Sequence, residues 1–188
     1  AAALQKAQEL GYAEADPTAD VEGLDARRKL VLSADLAFGV NIKEEDIPCV
    51  GISSITAADI ARAKEEGLTY KLIARAEKSG NAVAAFVCPT LFPSSAPEAH
   101  TDGTGNLATL YAARFGRQSF SGAGAGGYPT GSSVLRDCLD IADGCRSFYS
   151  DSFVPRPVHL SGAQSKWLFR CMGETFVREC SAREAFDA

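Results

Sequence analysis

Apolar residues recur at the three- and four-residue spacing of a helix in four parts of this chain. Glycines close the first three of these stretches, at Gly11, Gly39 and Gly67, as is typical of helix ends. Thr56 and Asp59 have the spacing of a capping box at the start of the third stretch. The pattern therefore predicts helices over residues 1–10, Leu24–Phe38, the run "TAADIARAKEEG" from Thr56, and "SSVLRDCLDIADG".

Runs rich in β-branched and aromatic residues predict strands. Two of them, "LTYKLIARAEK" and "NAVAAFVCPTLF", flank a Ser-Gly-Asn turn at residues 79–81, and a second pair flanks Gly116. Ile47–Ile52 is a short strand candidate, and an acidic loop is expected over residues 12–22. After Gly144 the pattern weakens, although "VHLSGAQSKWLFRC" fits a broken hairpin. This order predicts an α+β fold, with helices packed on a largely antiparallel, mixed β-sheet.

Composition and charge place the chain among ordinary globular proteins, with 188 residues, 46% apolar and 23% charged. The net charge of −5 and the lack of a basic stripe argue against a nucleic-acid partner. Apolar runs such as "VAAFV" fall far short of the ~20 residues that a membrane helix needs. Polar residues interrupt the N-terminal run "AAALQKAQELGY", so no signal peptide is expected. We therefore expect a cytoplasmic protein without a membrane partner.

The six cysteines and two histidines invite comparison with metal sites. No two cysteines form a C-x-x-C pair, and neither histidine lies within four positions of the other or of a cysteine. Because zinc ligands come in such clusters, no metal site is expected. The cysteines are expected to be the free, buried or half-buried thiols of an intracellular protein.

The stretch "GYAEADPTADVEGLDARRKLVL" concentrates charge between the first two predicted helices. Asp25 and Lys29 are four residues apart, so they share one face of a helix. The ordinary interpretation is an exposed ion pair worth ~0.3–0.5 kcal/mol. In the alternative, Leu32, Ser33 and Leu36 place the lysine at the margin of a core, where desolvation favours the neutral amine of a general base. Three carboxylates on the preceding loop would then converge on a ligand with an ammonium group: Glu14, Asp16 and Asp20.

Glycines in "GAGAGGYPTG" satisfy the dinucleotide-binding pattern G-x-G-x-x-G at Gly122, Gly124 and Gly127. In a dinucleotide-binding unit such glycines let a pyrophosphate approach the N-terminus of a helix. The residues that follow show no alternation of strands and helices, which argues against a complete Rossmann unit. Two interpretations stay open: a tight strand-to-helix turn, or one wall of a phosphate or nicotinamide pocket.

The run "GYAEADPTADVEGLDARRKL" resembles the substrate-binding and catalytic segment of the homoserine dehydrogenase family. That family's pattern is approximately G-Y-x-E-x-D-P-x-x-D-x-x-G-x-D-x-x-x-K, and every fixed position is present here. "FGVNIKEEDIPCVGISSITAADIARAKEEG" is similar to the family's next stretch, and "SGAGAGGYPTGSSVLRDCLDIA" to its glycine-rich turn and closing helix. The similarity covers about residues 1–143. We therefore expect a substrate-binding and dimerisation domain over residues 1–144 and a C-terminal extension over residues 145–188.

This resemblance implies an oxidoreductase that interconverts L-homoserine and L-aspartate 4-semialdehyde with NAD or NADP, in threonine and methionine biosynthesis. It implies that Lys29 is the catalytic base that takes the hydroxyl proton. It also implies that Asp25 helps to bind the substrate and orients the lysine, and that the protein is a homodimer formed through the sheet. The other implied residues bind the substrate (Tyr12, Glu14, Asp20) or lie near the nicotinamide end of the cofactor (Gly124, Gly126).

The N-terminal cofactor-binding domain of the family has no counterpart in this sequence. Residues 145–188 also do not clearly match the family. Two alternatives therefore stay open: a catalytically silent binding or dimerisation module that keeps this fold, and an amino-acid-binding protein that uses the same carboxylates. NAD and NADP are not distinguished, because the residues that contact the ribose belong to the cofactor domain.

Overall fold

A computed structural model describes the chain at residues 2–9, 11, 15–145, 149, 152–171 and 174–188. The chain forms two compact units, each assembled from three separate segments of the sequence. The first unit consists of Ala1–Pro17, Thr56–Lys71 and Leu91–Ser147, and the second of Thr18–Ile55, Leu72–Thr90 and Phe148–Ala188. No helix in these described residues combines the length and apolar character that crossing a bilayer requires.

The helices largely follow the sequence pattern. In chain order they are α1 Ala2–Glu9, α2 Thr18–Val21, α3 Leu24–Phe38, α4 Ala57–Glu65, α5 Gly127–Ala142 and α6 Ala182–Phe186. Gly39 ends α3 as predicted, with φ of 64° and its N–H donated to the Asp35 carbonyl. The predicted capping box at α4 is also confirmed, because Asp59 N–H donates to Thr56 Oγ1 at 3.2 Å and Thr56 N–H donates to Asp59 Oδ2 at 2.8 Å.

The strands pair two by two in the described part of the chain. They are β1 Val40–Asn41, β2 Leu68–Ser79, β3 Ala82–Pro93, β4 Gly105–Ala112, β5 Gly116–Ala123, β6 Val154–Pro155, β7 Gln164–Cys171 and β8 Glu174–Ser181. β2 pairs with β3. The pairs β4–β5 and β7–β8 are antiparallel, and the pair β1–β6 is parallel. The α+β class with mainly antiparallel pairing is confirmed, and both predicted hairpins, around Gly80 and Gly116, are present.

The predicted strand at Ile47–Ile52 is wrong. Cys49 makes an isolated parallel bridge to Val87, and the segment is otherwise irregular. Pro48 has no N–H to give to a ladder, and a strand pattern that contains a glycine such as Gly51 often marks a close backbone approach instead.

Two other local predictions change. The acidic loop expected over residues 12–22 includes the short helix α2, and the last predicted helix begins earlier, at Gly127. The stretch after Gly144, predicted as a broken hairpin, contains the continuous hairpin β7–β8, with Gln164 opposite Ser181. The run "VHLSGAQSKWLFRC" ends with β7, and the strand that pairs with β7 is β8, which follows the run. The run therefore contains only one of the two strands of the hairpin.

Strand β3 is the centre of the second unit, where residues 83–88 are all buried. Because side chains alternate along a strand, β3 contributes to two apolar clusters, one on each face. α3 joins the first cluster through Leu30 and Ala34, whereas Trp167 and Phe186 pack against Phe86 in the second. The buried members of the first cluster are Leu30, Ala34, Val40, Ile42, Ile47, Val83, Ala85 and Val87, and those of the second are Ala84, Phe86, Cys88, Ala163 and Ala182.

Helix α5, in the first unit, carries no buried residue although its apolar positions recur at helical spacing. The side chains of Val134, Leu135, Leu139 and Ile141 are exposed along it. On the hairpin β4–β5 of the same unit, large apolar residues are exposed as well, at Leu110, Tyr111, Phe115 and Phe120. Large apolar surfaces of this kind mark interaction sites in soluble proteins.

The cysteines differ from one another in exposure. Cys88 and Cys180 are buried and Cys49 is half-buried, as expected, and these described thiols are free. The prediction is wrong for Cys138 and Cys145, which are free and exposed. Cys138 lies on α5, whose surface the chain leaves uncovered, and Cys145 follows the end of that helix.

Candidate active site

Asp25 and Lys29 form an ion pair along the solvent-facing side of α3. Lys29 Nζ lies 2.7 Å from Asp25 Oδ2, and the two side chains are 63% and 43% exposed. Residues four apart on a helix are neighbours on its surface, which explains the contact. The predicted pairing of these two candidate catalytic residues is therefore present in the structure.

The expected position of Lys29 at the margin of a core is wrong. Leu32 and Leu36, which share its side of the helix, are 53% and 50% exposed. The face of α3 that packs in the core carries Leu30 and Ala34 instead. The run "LVLSADLAF" is apolar on more than one side, so its pattern did not determine which side faces β3. Lys29 consequently stands on the solvated face with Asp25.

Glu44 pairs with the arginines that lie between Asp25 and Lys29 in the sequence. Arg27 donates to Glu44 Oε1 from Nη2 at 2.9 Å and from Nε at 3.2 Å, and Arg28 Nε lies 3.6 Å from the same oxygen. These contacts join the first turns of α3 to the 3₁₀ turn Glu44–Asp46. The two guanidinium groups are directed to Glu44, and the Lys29 ammonium is directed to Asp25.

Gly23 is the residue immediately before α3, at the junction with the acidic segment that precedes the helix. Its φ is 77°, in the left-handed region that favours glycine, and the residue is buried. A Cβ at this position would lie 3.0 Å from Cys49 Sγ and 3.1 Å from Val87 Cγ1. Its carbonyl accepts the N–H of Arg27 at 2.9 Å, which starts the helix. Both backbone conformation and close packing therefore require glycine two residues before Asp25.

The substrate-binding candidates precede α3. Asp20 lies on α2 with its side chain exposed, and its carbonyl accepts the N–H of Gly23 at 3.3 Å. Asp16, just before α2, is also exposed. Tyr12 and Glu14 lie outside the described residues, and their roles stay predictions. The structure thus brings Asp20 within one tight turn of the helix that carries the ion pair.

The glycine stretch belongs to the first unit, where it forms the turn from β5 into α5. Gly124 donates its N–H to the Thr104 carbonyl at 2.8 Å, and a Cβ on Gly124 would collide with the Asn106 side-chain amide. Gly126 has φ of 115°, and α5 begins at the next residue, Gly127. The predicted strand-to-helix turn is therefore confirmed. The sequence pattern does not reveal that the Asn106 side chain leaves no room for a Cβ at position 124. Binding of a cofactor by this turn stays a prediction.

Sequence reasoning also missed the residues that surround Glu22. Ser53 Oγ donates to Glu22 Oε1, and Cys49 Sγ donates to the Glu22 carbonyl at 3.0 Å. Burial raises the pKa of the Cys49 thiol, which keeps it protonated and able to donate. The available signal was Gly51, a glycine inside an apparent strand, since such glycines often mark a close approach of two backbones.

Comparison with known proteins agrees with this architecture. The family model for homoserine dehydrogenase matches residues 1–139. The chain belongs to the homoserine dehydrogenase family. This is a family of oxidoreductases of amino-acid biosynthesis, and the matched range agrees with the resemblance found over residues 1–143.

Curated members of the homoserine dehydrogenase family are similar over most of this chain. The Bacillus subtilis enzyme is 43% identical over 143 residues, which are 76% of this chain and 33% of that protein. The Corynebacterium glutamicum enzyme is 47% identical over 144 residues, which cover 74% of this chain and 32% of that protein. The chain therefore spans about a third of the length of these homoserine dehydrogenases.

Solved homoserine dehydrogenases share the fold. The Thiobacillus denitrificans enzyme is 35% identical with a TM-score of 0.78, over 88% of this chain and 41% of that one. The S. aureus enzyme at pH 6.5 is 40% identical with a TM-score of 0.69, over 76% of this chain and 36% of that one. A hyperthermophilic archaeal enzyme in complex with NADPH, 24% identical over 78% of this chain and 41% of that one, has the same fold at a TM-score of 0.61.

Proposed function

We propose that this chain supplies the substrate-binding and catalytic part of an enzyme that interconverts L-homoserine and L-aspartate 4-semialdehyde with NAD or NADP. The observation that carries the proposal is the Asp25–Lys29 pair, 2.7 Å apart on the solvated face of α3 and inside the range that the family model matches. A structural ion pair does not require further carboxylates nearby in the sequence, whereas a site for an amino acid uses them, and Asp16 and Asp20 precede this pair in the chain.

Oxidation of the homoserine hydroxyl removes a hydride from carbon and a proton from oxygen. Lys29 in its neutral form accepts that proton, and in the reverse reaction its ammonium returns a proton to the aldehyde oxygen. Asp25 holds Lys29 Nζ by a charge-assisted hydrogen bond and so sets where the proton is accepted. A bound NAD or NADP supplies the nicotinamide that takes up or returns the hydride.

The acidic segment that precedes α3 suits the amino-acid end of the substrate. Asp20 and Glu14 are the proposed partners of the α-ammonium group, for which carboxylates are the natural partners, and Tyr12 is the third proposed substrate-binding residue. Support comes from the exposed carboxylate of Asp20 on α2 and from the family resemblance of the whole stretch.

The glycine turn suits the nicotinamide end of the cofactor, near Gly124 and Gly126. At Gly122, near the end of β5, and at Gly127, the first residue of α5, a Cβ would meet no atom within 4 Å, so the backbone on both sides of this turn is open to a ligand. The NADPH complex of the archaeal family member supports a nicotinamide cofactor for this chain as well.

A second copy of this chain is the proposed macromolecular partner. The exposed apolar side chains of α5 and of the hairpin β4–β5 support a homodimer that buries them. A cytoplasmic location is proposed on the relationship to amino-acid biosynthetic enzymes.

A chimaeric enzyme tests the proposed activity. Residues 1–139 of this chain replace the matching segment of the Bacillus subtilis enzyme, and L-homoserine-dependent formation of NADH or NADPH is measured. We expect activity in the chimaera and a loss of at least about a hundredfold in kcat for Lys29→Ala, because general base catalysis is removed. Lys43→Ala is the matched control, since Lys43 is an exposed lysine whose ion pair with Glu45 spans 3.7 Å.

The same experiment separates the silent-module alternative. A chimaera that is folded and dimeric but shows no turnover favours a binding or dimerisation module. A chimaera in which Lys29→Ala is as active as Lys43→Ala contradicts the role given to Lys29.

A further inference from the structure

Residues 21–23, here called the turn, are the last residue of α2 and the two residues that link it to α3. They separate the two acidic residues, Asp20 and Asp25, whose relative position the proposed site depends on. Asp20 precedes this turn on α2, and Asp25 follows it on the first turn of α3. The turn is short, so any change in its backbone moves one carboxylate relative to the other. What holds the turn therefore sets the geometry of the proposed substrate site.

Residues 49–53, here called the bracing segment, hold the turn by three hydrogen bonds. Ile52 N–H donates to the Val21 carbonyl at 2.9 Å, and Cys49 Sγ donates to the Glu22 carbonyl at 3.0 Å. Ser53 Oγ donates to Glu22 Oε1. Two consecutive carbonyls and one carboxylate of the turn are thus engaged by a segment about thirty positions away in the chain.

The bracing segment also touches the turn too closely for a side chain to intervene. A Cβ on Gly51 would lie 2.5 Å from Glu22 Cα and would collide with the Val21 carbonyl oxygen. Gly51 is buried, as is Gly23 on the other side of the contact. The two backbones therefore pack directly against each other.

The bracing segment itself is anchored to the core of the second unit. Val50 N–H donates to the Val87 carbonyl at 2.9 Å, and Val87 N–H donates to the Pro48 carbonyl at 3.0 Å. Val87 is fully buried in β3. The support therefore runs from a buried strand, through the bracing segment, to the turn between the two acidic groups.

We propose that Glu22 is a positioning residue, which with Ser53 and the bracing segment fixes Asp20 relative to the Asp25–Lys29 pair. This inference rests on the proposed function. Glu22 acts here through its acceptor oxygen, which receives the Ser53 hydroxyl, and not through contact with the substrate. A glutamine keeps that oxygen and an alanine removes it. A threonine at position 53 likewise keeps the donor that alanine lacks.

The experiment uses the 188-residue chain, labelled with ¹⁵N, and titrates it with L-homoserine. The variants are Glu22→Ala, Glu22→Gln, Ser53→Ala and Ser53→Thr, and Ser133→Ala on α5 is the matched control. Amide hydrogen exchange of residues 20–25 and of Ile52 is measured on each, together with unfolding by urea. We expect Glu22→Ala and Ser53→Ala to bind L-homoserine more weakly, by up to about tenfold, because displacement of Asp20 weakens its charge-assisted contact with the substrate ammonium group.

The expected pattern is faster exchange at residues 20–25 in the two bracing alanine variants, with affinity and protection restored in Glu22→Gln and Ser53→Thr. Wild-type affinity in both alanine variants overturns the inference and leaves the proposed function standing. Weak binding by Glu22→Gln with normal exchange also overturns it, because Glu22 then acts through its charge. If the wild-type chain does not bind L-homoserine, the proposed function loses its support, and unchanged exchange in the alanine variants still overturns the bracing role.

Discussion

Lys29 Nζ lies 2.7 Å from Asp25 Oδ2, one helical turn away, on the side of α3 that the core does not use. The residues that hold α3 in place, Leu30 and Ala34, are on another side of the same helix. The residues that anchor α3 in the core and the residues proposed to act in catalysis therefore lie on different sides of the same helix. Substitutions on the two sides have different expected consequences.

Asp25→Asn and Lys29→Ala are expected to leave the fold nearly unchanged. The pair is solvent-exposed, so its loss changes the free energy of unfolding by only about 0.5 kcal/mol or less. Urea denaturation of the 188-residue chain, followed by circular dichroism, measures this change. A loss of several kcal/mol for either variant contradicts a primarily functional role. Leu30→Ala is the comparison, with an expected loss of about 2–5 kcal/mol from a buried position.

Gly23→Ala is expected to destabilise the second unit strongly. The substitution combines left-handed backbone with crowding against Cys49 and Val87, so we expect a loss of about 3 kcal/mol. Gly80→Ala is the control, since Gly80 has φ of 57° but open space around a Cβ, and about 1 kcal/mol is expected there. Equal losses at the two positions, measured by urea denaturation, contradict the close packing of Gly23.

Gly124→Ala is expected to disturb the turn between β5 and α5 through Asn106. The added methyl collides with the Asn106 amide, with an expected loss of about 1–3 kcal/mol. Asn106→Ala in the same chain removes the colliding atoms and recovers most of that loss, which a double-mutant cycle measures. Gly131→Ala, in open space inside α5, is expected to stabilise the helix by about 0.5–1 kcal/mol. Additive effects of the Gly124 and Asn106 substitutions rule out the contact.

The free thiols are expected to react in order of exposure. Cys138 and Cys145 are exposed, whereas burial raises the pKa of both Cys49 and Cys88. The thiolate is the reactive form, so a raised pKa slows alkylation at neutral pH. Mass spectrometry after brief treatment with iodoacetamide at pH 7.5 is expected to show modification at Cys145 first. Cys138 lies on the surface of α5 that the proposed homodimer buries, so it is expected to react as fast only in the Leu135→Glu and Leu139→Glu variants. Early modification of Cys88 contradicts the described packing of β3.

The proposed homodimer is expected to depend on the apolar surface of α5. Leu135→Glu and Leu139→Glu place charges on that surface and are expected to shift the chain to monomer in sedimentation equilibrium. Ile60→Glu is the control, because Ile60 is similarly exposed but lies on α4. A wild-type chain that is monomeric at high concentration excludes the dimer, and dissociation by Ile60→Glu assigns the interface elsewhere.

Long-range pairing accounts for most of the differences between the sequence-based predictions and the structure. The segment that contains Cys49 has a strand-like composition, but its ladder partner is one residue of β3 and its other neighbour is the turn at Glu22. Neither contact has a local signature. The sequence pattern predicts only the first strand of the hairpin β7–β8 for the same reason. Cross-strand neighbours such as Leu168 and Val177 are recognised only once the register is known.

The sequence by itself determined the local features and the family. Helix α3, its glycine stop at Gly39, the capping box at Thr56 and the Asp25–Lys29 spacing depend on residues within a few positions of each other, so local chemistry suffices. Only the tertiary structure decided which face of α3 is buried, because the helix offers apolar residues on several sides and the choice depends on what β3 presents. It also decided that Glu22 is held by a distant segment, since hydrogen bonds between residues thirty positions apart exist only after the core has brought their backbones together.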